Sequence, residues 1–269
     1  MWLVLLCVMF LPLEEIFAVR RPVLRRKSLF GDLGFYFISG FVPHLLLIVP
    51  LSLTAYVAYR YVPWRWHVAV NAWPIWLRGV AGFDIADLGF YWGHRWAHKF
   101  PFLWRFHSVH HDPEHVYFLI SARAHPIDNA FIRLCGFIPL YLLGLGAPES
   151  VKGTLVATLI MLASTIWGFF IHANLRWRFG PFEWLLATPA FHHWHHTRSG
   201  LRDRNFASML PVWDWLFRTW HLPASFPENY GIDEKLPESV LGQLLYPLLP
   251  GELADPAPAA VAERPGSPS

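Results

Sequence analysis

Histidine is the residue type whose spacing points to chemistry in this chain. Eight of its fifteen histidines fall into three tight clusters. They are His94 and His98 in HRWAH, His107, His110 and His111 in HSVHH, and His192, His195 and His196 in HHWHH, where His193 is an extra member. On a helix, residues three or four apart share a face, so each cluster can aim two or three imidazoles at one point. Imidazole is the commonest side-chain metal ligand and suits iron, zinc, copper and nickel. Three such faces supply too many donors for one tetrahedral ion, so two metals are expected. The second and third clusters repeat one i, i+3, i+4 spacing about eighty residues apart, which surface decoration does not explain.

Other histidines stand alone. His172 closes the last apolar run, in FFIHANLRW. A lone histidine there is often a cation near a helix C-terminus, but its position beside the clusters makes it the expected ninth ligand. His125, in ARAHPID, is an additional candidate, as a ligand or as a group that orients one. His115 and His193 divide between orienting a ligand and facing solvent. His44, His67 and His221 read as structural or interfacial.

The elements that must position these rings are apolar helices. The 269 residues are 54% hydrophobic and 15% charged, against about 25% charged in ordinary soluble domains, a deficit that points to lipid. Fifteen tryptophans and nine tyrosines suit interfacial belts. The run from Trp2 to Val19 is near the minimum spanning length and is interrupted by Glu14 and Glu15, so a retained anchor or a tilted interfacial helix is expected. Phe35 to Ala58 can span, kinked at Pro43 and His44. A segment from Val68 to Trp92 carries Pro74, Arg78, Asp84 and Asp87 and either crosses or re-enters. Phe131 to Leu145 and Val151 to Ile171, separated by GAPES, predict a helical hairpin. These spans put the basic RRPVLRRK segment (Arg20 to Lys27) and all three clusters on one side, cytoplasmic by the positive-inside rule.

The expected fold is therefore all-α: an integral-membrane bundle of about four to five membrane helices with a cytoplasmic helical cap holding a histidine-rich dimetal site. Its divisions are residues 1–80 for the N-terminal helices and basic loop, 81–222 for the catalytic domain, 223–249 for an extension, and 250–269 for a Pro-, Ala-, Gly- and Ser-rich disordered tail. The net charge of +3 is too small to argue for nucleic acid. Cys7 and Cys135 lie in apolar segments, which argues against a disulfide framework or a cysteine metal site.

The order HRWAH, LWRFHSVHH, RAHPID, HANL, TPAFHHWHH, DRNFASMLPVWDWLF resembles the fatty acid hydroxylase/sterol desaturase superfamily, over about Asp84 to Thr219. The resemblance implies an integral-membrane di-iron enzyme. It places His94, His98, His107, His110, His111, His192, His195 and His196 at the motif histidines, with His172 as the ninth. Asp203, Asn205, Trp213 and Asp214 match the segment that closes over the site. Ala207 and Arg218 stand where glycines are usual, and Asp112 where a serine is common.

The implied reaction is oxidation of an unactivated C–H bond of a lipid with O2, on two iron ions that zinc can replace in purified protein. The cofactor carries such chemistry and the protein positions it. Asp87, Asp112, Glu114, Asp128 and Asp203 are candidates to orient the rings, each weighed against a solvated or capping role. No flavin, haem or ferredoxin module is evident, so electrons are expected from a separate donor such as a ferredoxin, or cytochrome b5 with its reductase. Hydroxylation is favoured over desaturation, sterol methyl oxidation and pterin-dependent ether-lipid cleavage. A membrane zinc-binding or transport protein is the competing class, disfavoured because no intramembrane carboxylate ladder is present. A zinc hydrolase is disfavoured by the lack of H-E-x-x-H.

Overall fold

The computed structural model describes residues 1–20, 28–148 and 150–249. The basic segment beyond Arg20 and the tail from 250 lie outside them. The described residues are helical, with no strand and one isolated bridge between Thr197 and Tyr230. The long helices are α1 (Trp2–Phe17), α2 (Leu29–Tyr61), α4 (Ile75–Lys99), α6 (Pro126–Leu142) and α7 (Val151–His172). Between and after them come α3 (Trp64–Ala72), α5 (Pro101–His111), α8 (Pro189–His195), α9 (Val212–Leu216) and α10 (Val240–Leu245). A 3-10 turn spans Phe118–Ala122.

Two predicted segments are redrawn. The Val68–Trp92 run is not one element, because the chain leaves the helix at Trp73 and restarts after Pro74. Proline has no N–H to donate and drives its predecessor out of the helical region. The restarted helix α4 then runs unbroken through HRWAH, so apolar residues and the first histidines share one rod. The second redrawn segment is α6, which starts at Pro126 rather than Phe131. Pro126 occupies the first helical position, where its missing N–H costs nothing.

Helix α4 is central. It packs on α6 along its length and on α7, while α2 covers the other side of α6. Small residues set the α4–α6 approach. A Cβ on Gly89 would lie 2.2 Å from the Cys135 carbonyl oxygen, and one on Gly136 would meet the Phe90 ring and the Ala86 carbonyl. Gly89→Ala must therefore move a helix backbone. The expected cost is at least the roughly 1–3 kcal/mol of an overpacked core, read as a lower melting temperature in detergent. Unchanged melting would refute the close crossing.

Helix α6 finds its main neighbours in α2 and α4, and α7 in α4, α8 and the 3-10 turn. The predicted hairpin is thus consecutive in sequence but splayed around α4. Helices α2 and α7 meet through the Tyr36 and Phe169 rings, 6.4 Å between centroids.

Helices α2 and α7 are long and apolar enough to cross a membrane. Their outward residues are apolar, among them Phe41, Leu45, Val49, Leu155, Leu159 and Leu162. Helix α1 is tied to the bundle: buried Glu14 accepts the Phe118 and Asn174 amides at 2.8 and 2.9 Å. Asn174 in turn bonds the chain at Val19 and Arg20. The acid that interrupts the first apolar run is therefore an acceptor for buried amides, which otherwise each lack a partner.

Candidate metal centre

The nine histidines expected as ligands converge at one end of the bundle in two groups. His94, His98, His107, His111 and His195 form one; His110, His172, His192 and His196 form the other. Within each group the nearest ring nitrogens all lie within 4.8 Å of one another. The groups cut across the sequence clusters. Helix α5 sends His107 and His111 to the five-donor group and His110 to the four-donor group. Helix α8 and its C-cap send His192 and His196 to the four-donor group and His195 to the other. At about 100° per residue, positions i and i+4 stay within about 40° of each other while i+3 lies on the opposite flank of that face. Each helix thus serves both groups.

Acceptors behind the rings settle which nitrogen faces inward. The Nδ1 atoms of His94, His110, His172 and His195 lie 2.7–3.0 Å from the carbonyl oxygens of Phe206, Arg123, Gly168 and Arg204. His98 and His107 place Nδ1 at 3.0 and 2.9 Å from Asp203 and Asp128 carboxylates. A carbonyl or carboxylate oxygen only accepts, so Nδ1 carries the hydrogen and Nε2 keeps its lone pair. Two pairs of these Nε2 atoms face each other, His94–His107 at 3.1 Å and His110–His172 at 3.2 Å, while His111 and His192 bring Nε2 to 3.2 Å from His107 and 3.0 Å from His172. His98 Nε2 and His195 Nε2 are buried with no hydrogen-bond partner.

Lone pairs facing at such distances repel unless a cation sits among them. Metal–imidazole bonds of about 2.0–2.1 Å place adjacent donors about 3 Å apart, so the donor set fits metal. Burial, and after it the neighbouring imidazoles, hold His111, His192 and His196 well below the usual histidine range. Burial first, and then His107, pushes His110 down to about 4. These four rings thus favour the neutral form, the one that binds metal.

Helix starts aim the rings. Thr188 Oγ1 accepts the Phe191 amide and Pro189 follows it, so α8 begins just before its histidines. Among the carboxylates weighed as ring-orienting groups, Asp128 and Asp203 act so. The others do not. Asp87 accepts from Leu210 N and Trp213 Nε1, Asp112 binds Arg123 and Gln243, and Glu114 pairs with Arg198.

His125 is corrected: it stands outside both groups. Its Nδ1 accepts the Ile127 amide at the start of α6, and its Nε2 lies 3.1 Å from the Leu244 carbonyl. The extended backbone required before Pro126 leaves its ring free to cap the helix. His193 is buried between Tyr230 and the Ala173 carbonyl, and so braces the residue after His172. His115 contacts Ser28.

Arg123 escaped the sequence reading, and Asp214 was read only as part of the segment that closes over the site. Arg123, whose carbonyl receives His110, spreads its guanidinium over Asp32 at 2.6 Å, Asp112 at 2.8 Å and Gln243 at 3.2 Å. It thereby joins α2, α5 and α10 behind the ring. Asp214, fully buried, accepts the amides of Phe206 and Ala207 at 2.8 and 2.7 Å and the Thr219 hydroxyl at 2.7 Å. Burial raises its carboxyl to about 6 despite these donors. Asn205 holds the same loop through Phe191 and His221. Arg218 sits at φ +60°, which accounts for glycine being usual there in the chains it resembles.

A cavity of about 800 Å³, lined by residues of α2, α6 and α7, reaches the rings. Its walls are mostly apolar, and its inner end is formed by His94, His107, His110, His172 and His192, from both groups.

The chain is similar to known proteins over this same region. It is 34% identical over 195 residues to the ornithine lipid hydroxylase OlsE of Rhizobium tropici, covering 72% of this chain and 57% of that one. It is 32% identical over 194 residues to the alkylglycerol monooxygenase of Danio rerio, covering 70% and 39%. To the methylsterol monooxygenase 2-2 of Arabidopsis thaliana it is 28% identical over 177 residues, 65% of each. The matched region thus spans less than two thirds of the length of each of these relatives. No solved structure matches the chain. The fatty acid hydroxylase family model matches residues 79–219, about half of the chain and all nine clustered histidines. The chain belongs to the fatty acid hydroxylase family, within the fatty acid hydroxylase/sterol desaturase superfamily.

Proposed function

We infer that this chain is a membrane-embedded di-iron oxygenase that hydroxylates a C–H bond of a lipid. The observation that carries the reading is the junction of two all-imidazole groups with a mostly apolar cavity lined by α2, α6 and α7. His94, His98, His107, His111 and His195 would hold one iron, and His110, His172, His192 and His196 the other. Bound there, the iron pair supplies the O2-dependent oxidation that no side chain performs.

The chain's own residues do the rest. Asp128, Asp203 and the four backbone carbonyls fix the tautomer and orientation of six rings. Apolar walls admit a hydrocarbon body between α2 and α7 and exclude water around the inner end. Electrons arrive from a separate donor, a ferredoxin or cytochrome b5 with its reductase. Helices α2, α4, α6 and α7 form the embedded bundle. The histidine end faces the cytoplasm, because Arg20, the first residue of the basic segment, bonds to Asn174 beside His172. The far end carries Tyr56, Tyr59, Tyr61, Trp64 and Trp66, as an aromatic belt would. Similarity to alkylglycerol monooxygenases favours ether-lipid cleavage as a second reading.

Metal analysis of protein purified from iron-replete cells should find about two irons per chain; stoichiometric zinc without iron would overturn the oxygenase. Mass spectrometry of whole-cell lipids with and without the protein should then show one species gaining a single oxygen. Accumulation of an intact ether lipid in cells lacking it would select the second reading.

A further inference from the structure

The cavity wall holds polar groups that the metal centre does not use. Asn129 and Arg133, one turn apart on α6, both line it below the histidines. Across the cavity, His44 of α2 brings Nε2 to 3.5 Å from Arg133 Nη1. Asn129 Oδ1 is buried without a hydrogen-bond partner.

Arg133 differs from the other deeply placed arginines. Arg78 spends its guanidinium on the carbonyls of Leu145 and Gly144 and on Asn71, and Arg123 is paired with two aspartates. Arg133 has no ion-pair partner among the described residues. Its depth makes this more telling. Ser39 bonds the Ala124 carbonyl near the histidine end, and Trp66 bonds the Leu143 carbonyl at the far end. Arg133 lies about midway between these levels. A guanidinium at such depth persists where it meets a functional partner.

We propose that Arg133, with His44 beside it, docks the acidic group of the lipid substrate, a carboxylate or a phosphate. The proposal rests on the cavity being the substrate channel. A planar guanidinium with free N–H donors matches either anion in a two-pronged bond. Asp128, which holds His107, lies five residues before Arg133, about 8 Å along the helix axis. An acid held by Arg133 therefore presents to the histidine end a carbon several bonds away, and the separation selects which carbon reacts.

The test is equilibrium binding to the purified full chain in detergent, with its metal content measured alongside. Three probes of equal chain length are hexadecanoic acid, hexadecyl phosphate and hexadecanol. At least one acid should bind roughly tenfold tighter than the alcohol, and the tighter acid identifies the group. Arg133→Gln should erase the preference and Arg133→Lys keep part of it. If the alcohol binds the wild type as well as both acids, or R133Q retains the preference, the proposal fails. Should R133Q not fold, His44→Gln, at a lipid-exposed position, should weaken acid binding severalfold, and an unchanged preference would overturn the proposal. An iron-free but acid-selective protein would sink the oxygenase reading alone; an active, iron-loaded protein indifferent to the acid would sink only this one.

Discussion

Replacing His110 by alanine should lower bound metal from about two ions to about one per chain and reduce turnover at least about 100-fold, with membrane insertion unchanged. His110 belongs to the four-donor group, and its loss leaves three imidazoles. The Arg123 carbonyl also loses the hydrogen it accepts from Nδ1. His111→Ala provides the contrast. It belongs to the five-donor group, so four donors remain and metal retention should be greater. Metal analysis of both variants after the same dialysis checks the asymmetry. Equal metal loss from the two would contradict the partition of the rings into five and four.

Asp214→Ala should be the most damaging substitution outside the rings. It would leave the Phe206 and Ala207 amides and the Thr219 hydroxyl facing an apolar methyl. At about 1–3 kcal/mol for each buried amide left unmade, the two amides alone cost about 2–6 kcal/mol. The damage reaches the metal centre, because the Phe206 carbonyl is the acceptor for His94 Nδ1. The variant should therefore melt earlier and also release metal from the five-donor group. Asp214→Asn should recover only part of this, since its amide nitrogen cannot accept the second backbone N–H. Thermal melts read beside metal content distinguish the two effects. A variant that melts like wild type and keeps both ions would refute the role of Asp214.

The eight clustered histidines were legible because helical periodicity brings residues three or four apart onto one face, whatever the rest of the chain does. His172 was legible from its place at the end of an apolar run. His125 misled for a local reason: histidine before proline is extended, and its ring turned to cap α6 instead of entering the site. The segment from Val68 to Trp92 was left to cross or re-enter because it carries Pro74, and the structure divides it into two helices at that proline.

By itself the sequence determined the all-helical class, the identity of the rings and the apolar surroundings, all of which depend on short-range periodicity and composition. Tertiary structure alone decided how the rings divide. The rotation of α5 and α8 between two groups depends on where the helices meet, not on their spacing. It also decided which acids orient rings, since Asp128 and Asp203 reach His107 and His98 across 21 and 105 residues. The same holds for Arg123 and Glu14, whose partners lie on other elements, and for the cavity that α2, α6 and α7 line together. Long-range contacts leave no periodic trace in a single chain, because each is a meeting of two segments whose separation only folding sets.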